Sequence, residues 1–264
     1  MNIPEGWTTE TVSVNGVDLQ YYRTGNGPPL VMAHGFFDNG RCWAPLADDL
    51  ADDYDVIMYD ARGHGLSDAP ETGYDTESRV ADLVGIVTEL DLNDPILLGH
   101  SMGGATAAST AAKHPTLPRA VVLEDPAGMY GEPDRDPDER AQIVMKRLND
   151  RADRSVEDVM REYDNDLDSE WTRRLVVADT ECRPAIAEIA REGYPILKDT
   201  FGEISCPTLV LKADGDTERR VNDREVADEL THGRLVHIPD AGHCVFRDEY
   251  DAAYAELRTF LQRV

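Results

Sequence analysis

Residues 95–104 have the sequence PILLGHSMGG, in which a short apolar run leads directly into a serine between glycines. The run is typical of a buried strand, and the small residues after it predict a helix over 104–113. Gly99 and Gly103 have no Cβ atoms to obstruct a sharp turn between the two elements. The pattern therefore predicts a turn that holds Ser101 in a strained conformation with its hydroxyl exposed, as a nucleophile requires.

Short apolar runs alternate with amphipathic segments on both sides of this turn. After a predicted hairpin over 9–14 and 17–22, the expected strands are 30–33, 55–59, 95–99, 120–123, 208–212 and 234–238. The expected helices are 43–52, 76–90, 104–113, 223–230 and 248–263. This alternation predicts an α/β fold with a doubly wound, mostly parallel sheet.

One stretch interrupts the alternation. Residues 129–198 contain no convincing strand and show the pattern of three or four helices with acidic loops. We interpret this stretch as an inserted helical lid, which separates a first part of the core (1–128) from a second part (199–264). A length of 264 residues suits one large domain that carries such an insertion.

The chain is strongly acidic, with 52 Asp and Glu against 26 Lys and Arg and a formal net charge of -26. This charge disfavours nucleic acid and anionic membranes as partners. Molar salt shortens the screening length to about 3 Å and would relieve the self-repulsion. We therefore expect a halophilic protein, adapted to high salt inside the cell.

Other sequence signals narrow the class of protein. No apolar stretch is long enough to span a membrane, and the first residues lack a basic leader followed by an apolar run, so we expect a cytoplasmic location. The four cysteines form no CxxC pair and are expected to be reduced. Because no nucleotide-binding or calcium-loop pattern is complete, no cofactor and no metal are expected.

A serine nucleophile needs a base and a carboxylate that orients the base. In an open α/β sheet the site lies at the carboxyl ends of the strands, which favours residues in the loops after them. His243 follows the strand over 234–238 across a short turn and is the predicted base. Asp216 is the preferred carboxylate, because it lies deeper than Asp214 in the loop after the strand over 208–212. Glu124 and Asp125, at the end of an earlier strand, are the alternatives.

Acyl transfer also requires N–H donors for the developing oxyanion. The residues HGFF (34–37) follow a predicted strand, where a loop can direct a backbone N–H toward the serine. The predicted donors are the N–H groups of Phe36 and Met102. An apolar pocket under the lid is expected from these side chains: Phe36, Phe37, Met129, Tyr130, Trp171 and Phe246.

Five segments in this order resemble α/β-hydrolase-fold enzymes of the serine esterase, lactonase and cofactor-free haloperoxidase group. The segments are HGFF (34–37), DARGHGLSD (60–68), GHSMGG (99–104), LVLKADGD (209–216) and DAGH (240–243). They are distributed over most of the chain outside the lid, from residue 34 to residue 243. The resemblance implies the same residues as the argument above: Ser101, Asp216 and His243 as the catalytic triad, and Phe36 with Met102 as the oxyanion hole.

The resemblance also implies a reaction. A serine at the nucleophile position disfavours dehalogenase and epoxide hydrolase chemistry, for which related enzymes use aspartate. The expected function is hydrolysis of a small-molecule carboxylic ester or lactone through an acyl-enzyme. The alternatives are a perhydrolase or haloperoxidase-like activity on the same triad, and a ligand-binding receptor with the hydrolase fold.

Overall fold

The computed structural model describes residue 4 and residues 6–131, 135–152, 154–162 and 169–264. These residues form one eight-stranded sheet in the order β1-β2-β4-β3-β5-β6-β7-β8. The pairs β1/β2 and β2/β4 are antiparallel, and all other neighbours are parallel. The strands are β1 (Thr8–Val14), β2 (Val17–Thr24), β3 (Pro29–Ala33), β4 (Asp55–Tyr59), β5 (Ile96–His100), β6 (Ala120–Glu124), β7 (Thr208–Ala213) and β8 (Gly233–Ile238). The predicted fold class is confirmed.

Helices connect the parallel strands. The helices before the β6–β7 connection are α1 (Ala44–Leu50), α2 (Thr76–Glu89) and α3 (Met102–Lys113). Within the connection are α4 (Pro137–Ala152), α5 (Val156–Met160), α6 (Ser169–Glu181), α7 (Ala187–Glu192) and α8 (Leu197–Phe201). After it come α9 (Thr217–Ala227), α10 (Val245–Asp248) and α11 (Tyr250–Leu261). No helix in the described part of the chain is long and apolar enough to cross a membrane.

The core lies on both faces of the sheet. In β3, Val31 packs into a cluster with side chains of α2 and α3, whereas Leu30 and Met32 pack into a second cluster with α1 and α11. Every residue of β4, β5 and β6 is buried. Burial on both faces explains why these strands have nearly continuous apolar sequences, as parallel strands under helices do. The packing on both faces also holds the ends of these strands in place, and the candidate site lies at those ends.

Two helix boundaries differ from the sequence prediction. Helix α9 begins at Thr217, earlier than expected, because the side chain of Asp216 accepts a hydrogen bond from the backbone N–H of Arg219 and caps the helix. The expected C-terminal helix is divided into α10 and α11 at Glu249, whose φ of -136° and ψ of 65° are not helical. The early start of α9 determines which carboxylate reaches the site.

Candidate active site

Ser101 lies in a strained turn between β5 and α3, with φ 50° and ψ -110°. The turn depends on two glycines. A Cβ at Gly99 would lie 2.2 Å from the carbonyl oxygen of Gly103, and a Cβ at Gly103 would lie 2.1 Å from that of Ala33. Any other residue at these positions would displace the backbone. The two glycines therefore make the predicted turn possible.

The structure brings Ser101 and His243 together. His243 lies after β8, on the turn that leads to α10, and its Nε2 is 2.9 Å from Oγ of Ser101. The distance suits a hydrogen bond in which the hydroxyl donates to the imidazole. The imidazole is therefore placed to accept the serine proton, as a general base must.

Asp125, rather than Asp216, contacts the imidazole. Nδ1 of His243 lies 2.6 Å from Oδ2 of Asp125, and this is the only carboxylate hydrogen-bonded to His243 among the residues that the structure describes. Asp125 directly follows β6, which is the neighbour of β5, the strand that leads into Ser101. Donation from Nδ1 leaves Nε2 as the acceptor that faces the serine. The three side chains thus form one hydrogen-bonded chain.

The prediction that Asp216 reaches His243 is wrong. Its side chain is engaged as the N-cap of α9, 2.9 Å from the backbone N–H of Arg219. Asp214 pairs with Arg220 at 2.6 Å instead. The sequence carries a signal for this, since an aspartate followed by threonine and glutamate is typical of a helix start.

Burial and charge act in opposite directions on Asp125. Burial by itself would raise the pKa of this carboxyl, but the hydrogen bond to His243 and the adjacent Lys212 ammonium lower the pKa to about 2. Only 5% of Asp125 is exposed. The carboxylate is therefore ionised at neutral pH and can stabilise an imidazolium on His243.

The loop that carries Phe36 is held on both sides. The carbonyl oxygen of His34 accepts a hydrogen bond from the N–H of Gly103 at 3.1 Å, and His64 Nε2 lies 2.7 Å from the carbonyl oxygen of Phe36. Within the described residues, no hydrogen bond outside the regular elements uses the Phe36 N–H. Met102 is the first residue of α3, where an N–H has no acceptor within the helix. Among the described residues, neither predicted oxyanion donor is thus engaged by another acceptor.

Sequence reasoning missed a buried cluster beneath His243. His100 Nε2 lies 3.0 Å from the carbonyl oxygen of His243, and Nδ1 lies 3.6 Å from Asp38, which also pairs with Arg247 at 2.7 Å. Burial opposes the charged form of His100, but the carboxylates of Glu124 and Asp38 raise its pKa well above the usual range. A protonated His100 donates to that carbonyl and fixes the backbone of His243. No sequence pattern marks Arg247 or Asp38 as part of such a cluster.

A cavity of about 260 Å³ opens above Ser101 and His243. Phe36 and Phe37 line it as predicted, together with Arg147 and Asp179 from the helices between β6 and β7. The full lining among the described residues is Phe36, Phe37, Asp38, His100, Ser101, Arg147, Leu175, Asp179, His243, Cys244 and Arg247. The other four predicted residues (Met129, Tyr130, Trp171 and Phe246) lie outside this lining. Its charged residues make the cavity more polar than the sequence suggested.

The lining includes the cations Arg147 and Arg247. The guanidinium of Arg147 lies 3.7 Å from the centre of the Phe37 ring and pairs with Asp179 at 3.2 Å. Its Nη1 has no hydrogen-bond partner among the described residues. The cavity is therefore lined by an arginine that has a charged donor left for a further hydrogen bond.

Known proteins resemble this chain over its whole length or in part. The 2-(acetamidomethylene)succinate hydrolase of Mesorhizobium japonicum is 39% identical over 114 residues, 43% of this chain and 41% of that protein, so the match spans less than half of this relative. A putative non-heme chloroperoxidase of Synechocystis is 26% identical over 272 residues, covering 93% and 95% of the two chains. The enol-lactonase from Burkholderia xenovorans LB400 superimposes with a TM-score of 0.77 and 25% identity, over 96% of this chain and 100% of that one.

A family match agrees with the fold. The model of the Alpha/beta hydrolase family matches residues 30–257, which include all of β3 except Pro29, the strands β4 to β8 and the residues around Ser101. This range covers most of the 264 residues. The chain therefore belongs to the Alpha/beta hydrolase family.

Proposed function

We propose that this protein is a serine hydrolase that cleaves a carboxylic ester or lactone through an acyl-enzyme. The observation that carries the proposal is the hydrogen-bonded chain from Ser101 through His243 to Asp125, with distances of 2.9 and 2.6 Å. It lies at the carboxyl ends of the strands, open to a cavity. This arrangement suits acyl transfer, in which a base activates a hydroxyl.

The proposed mechanism has two halves. His243 takes the proton of Ser101 as the hydroxyl oxygen attacks the substrate carbonyl, and the N–H groups of Phe36 and Met102 stabilise the oxyanion. The imidazolium then protonates the leaving alkoxide as the acyl–oxygen bond breaks. In the second half His243 deprotonates a water molecule, which attacks the acyl-enzyme carbonyl. The acyl–Oγ bond then breaks, and the imidazolium returns its proton to the oxygen of Ser101 as the acid is released. Asp125 fixes the imidazole orientation in both halves.

The cavity favours a substrate with a negative group near the scissile carbonyl. Arg147 and Ser101 line the same cavity, although the chain as a whole carries a charge of -26. An arginine in a partly closed cavity binds carboxylates through charge-assisted hydrogen bonds. The name of the Mesorhizobium relative, a hydrolase of a substituted succinate, supports the same class. We therefore propose an ester or lactone of a carboxylate-bearing acid as the substrate.

A perhydrolase activity is a second candidate, supported by the putative non-heme chloroperoxidase that matches most of the chain. It would use the same three side chains, with hydrogen peroxide in place of water in the second half. Both reactions share the acyl-enzyme, so a variant without the serine hydroxyl would lose both.

Ester and lactone turnover tests the proposal. The purified protein and its Ser101→Ala variant are assayed in molar KCl against p-nitrophenyl esters of graded acyl length and a panel of lactones, with and without hydrogen peroxide. We expect turnover by the wild type and its loss in the variant. Equal rates for the two proteins, or no turnover of any substrate, would contradict the proposed function.

A further inference from the structure

Lys212 is a buried cation directly behind the proposed triad. It lies near the end of β7 and is only 4% exposed. The chain has four lysines, and the other three, Lys113, Lys146 and Lys198, are exposed. Burial of an ammonium is costly unless carboxylates compensate for the lost hydration. The position of Lys212 therefore requires an explanation in its neighbours.

Asp125 is the nearer of two carboxylates around this ammonium. Lys212 forms a close ion pair with Oδ1 of Asp125 and lies 3.7 Å from Oδ1 of Asp223. Asp125 thus divides its two oxygens, with Oδ1 toward Lys212 and Oδ2 toward His243. A carboxylate fixed at both oxygens cannot rotate away from the imidazole.

The second carboxylate near Lys212, that of Asp223, is itself held in place. Asp223 is fully buried in α9, its Oδ2 lies 2.9 Å from Nε2 of His237, and its Oδ1 accepts a hydrogen bond from the hydroxyl of Tyr130. In the sheet, Lys212 is also the register partner of His237. Two neighbouring strands and one helix therefore hold the ammonium in place.

We propose that Lys212 is a positioning residue, which keeps the Asp125 carboxylate ionised and directed at His243. The inference rests on the proposed function, because Lys212 acts on the reaction only through Asp125 and His243. The other charged or titratable groups that face Asp125 are Arg219, 3.9 Å away, and Tyr130. A lysine suits the place better than an arginine, because its compact ammonium fits between two carboxylates.

Removal of the Lys212 charge should shift proton binding at the proposed triad to higher pH. The Lys212 ammonium favours the charged form of Asp125, whereas burial favours the neutral form. Without it, the proton-binding midpoint of the coupled Asp125–His243 pair moves to higher pH, since a cation that opposed protonation is gone. The acid limb of kcat/KM, which reports that pair, moves in the same direction.

Four variants separate positioning from folding. Lys212→Met removes the charge and keeps most of the chain length, while Lys212→Arg keeps the charge. Asp223→Asn keeps Lys212 but weakens its second anchor, and Lys198→Met is the matched control on the surface. If Lys212→Met fails to fold because both carboxylates lose their partner, the double variant Lys212→Met/Asp223→Asn replaces it, since it leaves one fewer unpaired charge.

Two measurements are made on folded protein. In the substrate-free enzyme, the far-downfield proton NMR signal of His243 Nδ1–H is followed with pH. We expect a higher midpoint in Lys212→Met than in the wild type, a higher midpoint in the double variant than in Asp223→Asn, and a wild-type midpoint in Lys198→Met. In turnover of the best ester, we expect Lys212→Met to lower kcat at least about tenfold with little change in KM, and Lys212→Arg to recover part of it.

An unchanged NMR midpoint and an unchanged kcat in folded protein without Lys212 would overturn this proposal. Because the NMR titration needs no substrate, it tests Lys212 even if no ester is turned over. Lack of Ser101-dependent turnover in the wild type would instead contradict the proposed function.

Discussion

Oδ2 of Asp125 lies 2.6 Å from Nδ1 of His243, although 118 residues separate the two in sequence. The contact joins the end of β6 to the turn after β8 across the end of β7, the strand between them. The loop after β7 contributes Asp216 to a helix cap instead. The carboxylate of the proposed triad thus comes from one strand closer to Ser101 than the motif order suggested.

The two aspartates should differ in their effect on catalysis. Asp125→Asn is expected to lower kcat by about 10³ to 10⁴, because an amide neither holds the required tautomer nor stabilises the imidazolium. Asp216→Ala should keep near wild-type kcat and lose about 1 kcal/mol of unfolding free energy with its helix cap. Ester hydrolysis and urea melts of both variants check this. A larger kcat loss in Asp216→Ala than in Asp125→Asn would reverse the assignment.

Asp125 should also make stability depend on pH. Its pKa falls from the ordinary 3.8 to about 2 on folding, so its stabilisation is present above about pH 4 and lost as pH falls toward 2. The ionised Asp125 should contribute about 2 kcal/mol to the free energy of unfolding, and about 1 kcal/mol of this contribution should be lost between pH 5 and pH 3. Urea melts of wild type and Asp125→Asn across this range measure the difference. Parallel pH curves for the two proteins would show that Asp125 makes no such contribution.

The glycine turn predicts an asymmetry between two alanine substitutions. Gly103→Ala places a Cβ 2.1 Å from the Ala33 carbonyl oxygen, so the backbone of the turn must move. We expect a loss of at least about 100-fold in kcat/KM, since misplacement of a nucleophile by about 1 Å has that effect. Gly202→Ala is the control, because its Cβ meets nothing within 4 Å and its φ is -61°. Wild-type activity in Gly103→Ala would contradict the strained turn.

The cavity arginine should set a preference for anionic substrates. We compare kcat/KM for p-nitrophenyl hemisuccinate with that for the uncharged p-nitrophenyl pentanoate. Arg147→Met is expected to lower the ratio of the two at least about tenfold, the effect of one charge-assisted hydrogen bond. Arg173→Met is the matched control on helix α6, since Arg173 is exposed and pairs with Glu157 at 3.1 Å. An unchanged ratio in Arg147→Met would exclude this carboxylate subsite.

High salt should stabilise the protein. With a net charge of -26, repulsion among surface carboxylates opposes the folded state in dilute buffer. Molar KCl reduces the screening length from about 10 Å at 0.1 M to about 3 Å, which removes most of this repulsion. Urea melts should therefore show a higher midpoint in molar KCl than in dilute buffer. The same midpoint in both would contradict adaptation to high salt.

Local patterns were sufficient to predict much of the fold and part of the site. Apolar runs marked β3 to β8, and the glycines around Ser101 predicted its turn, because both depend on neighbours in sequence. His243 was also predicted, from a short turn after a strand. Its contact with Ser101 is confirmed by the 2.9 Å distance.

The choice between Asp125 and Asp216 depended on tertiary structure. Both follow buried strands, and strand position alone favours neither. Which aspartate contacts His243 depends on where α9 begins and on the ion pair between Lys212 and Asp125, two residues far apart in sequence. The cluster of His100, Asp38 and Arg247 also depends on tertiary structure, since it joins the end of β5, the loop after β3 and helix α10. Such contacts leave no periodic trace in the sequence.

The rate of fluorophosphonate labelling, with the adduct located by peptide mass spectrometry, tests the central claim most directly. The reagent reacts with a serine only when a base activates it, and it needs no knowledge of the natural substrate. We predict rapid labelling of the wild type at Ser101, labelling of Asp216→Ala at a similar rate, and labelling of Asp125→Asn slower by at least about 100-fold. An adduct at another residue, or equal rates in Asp125→Asn and the wild type, would contradict a triad of Ser101, His243 and Asp125.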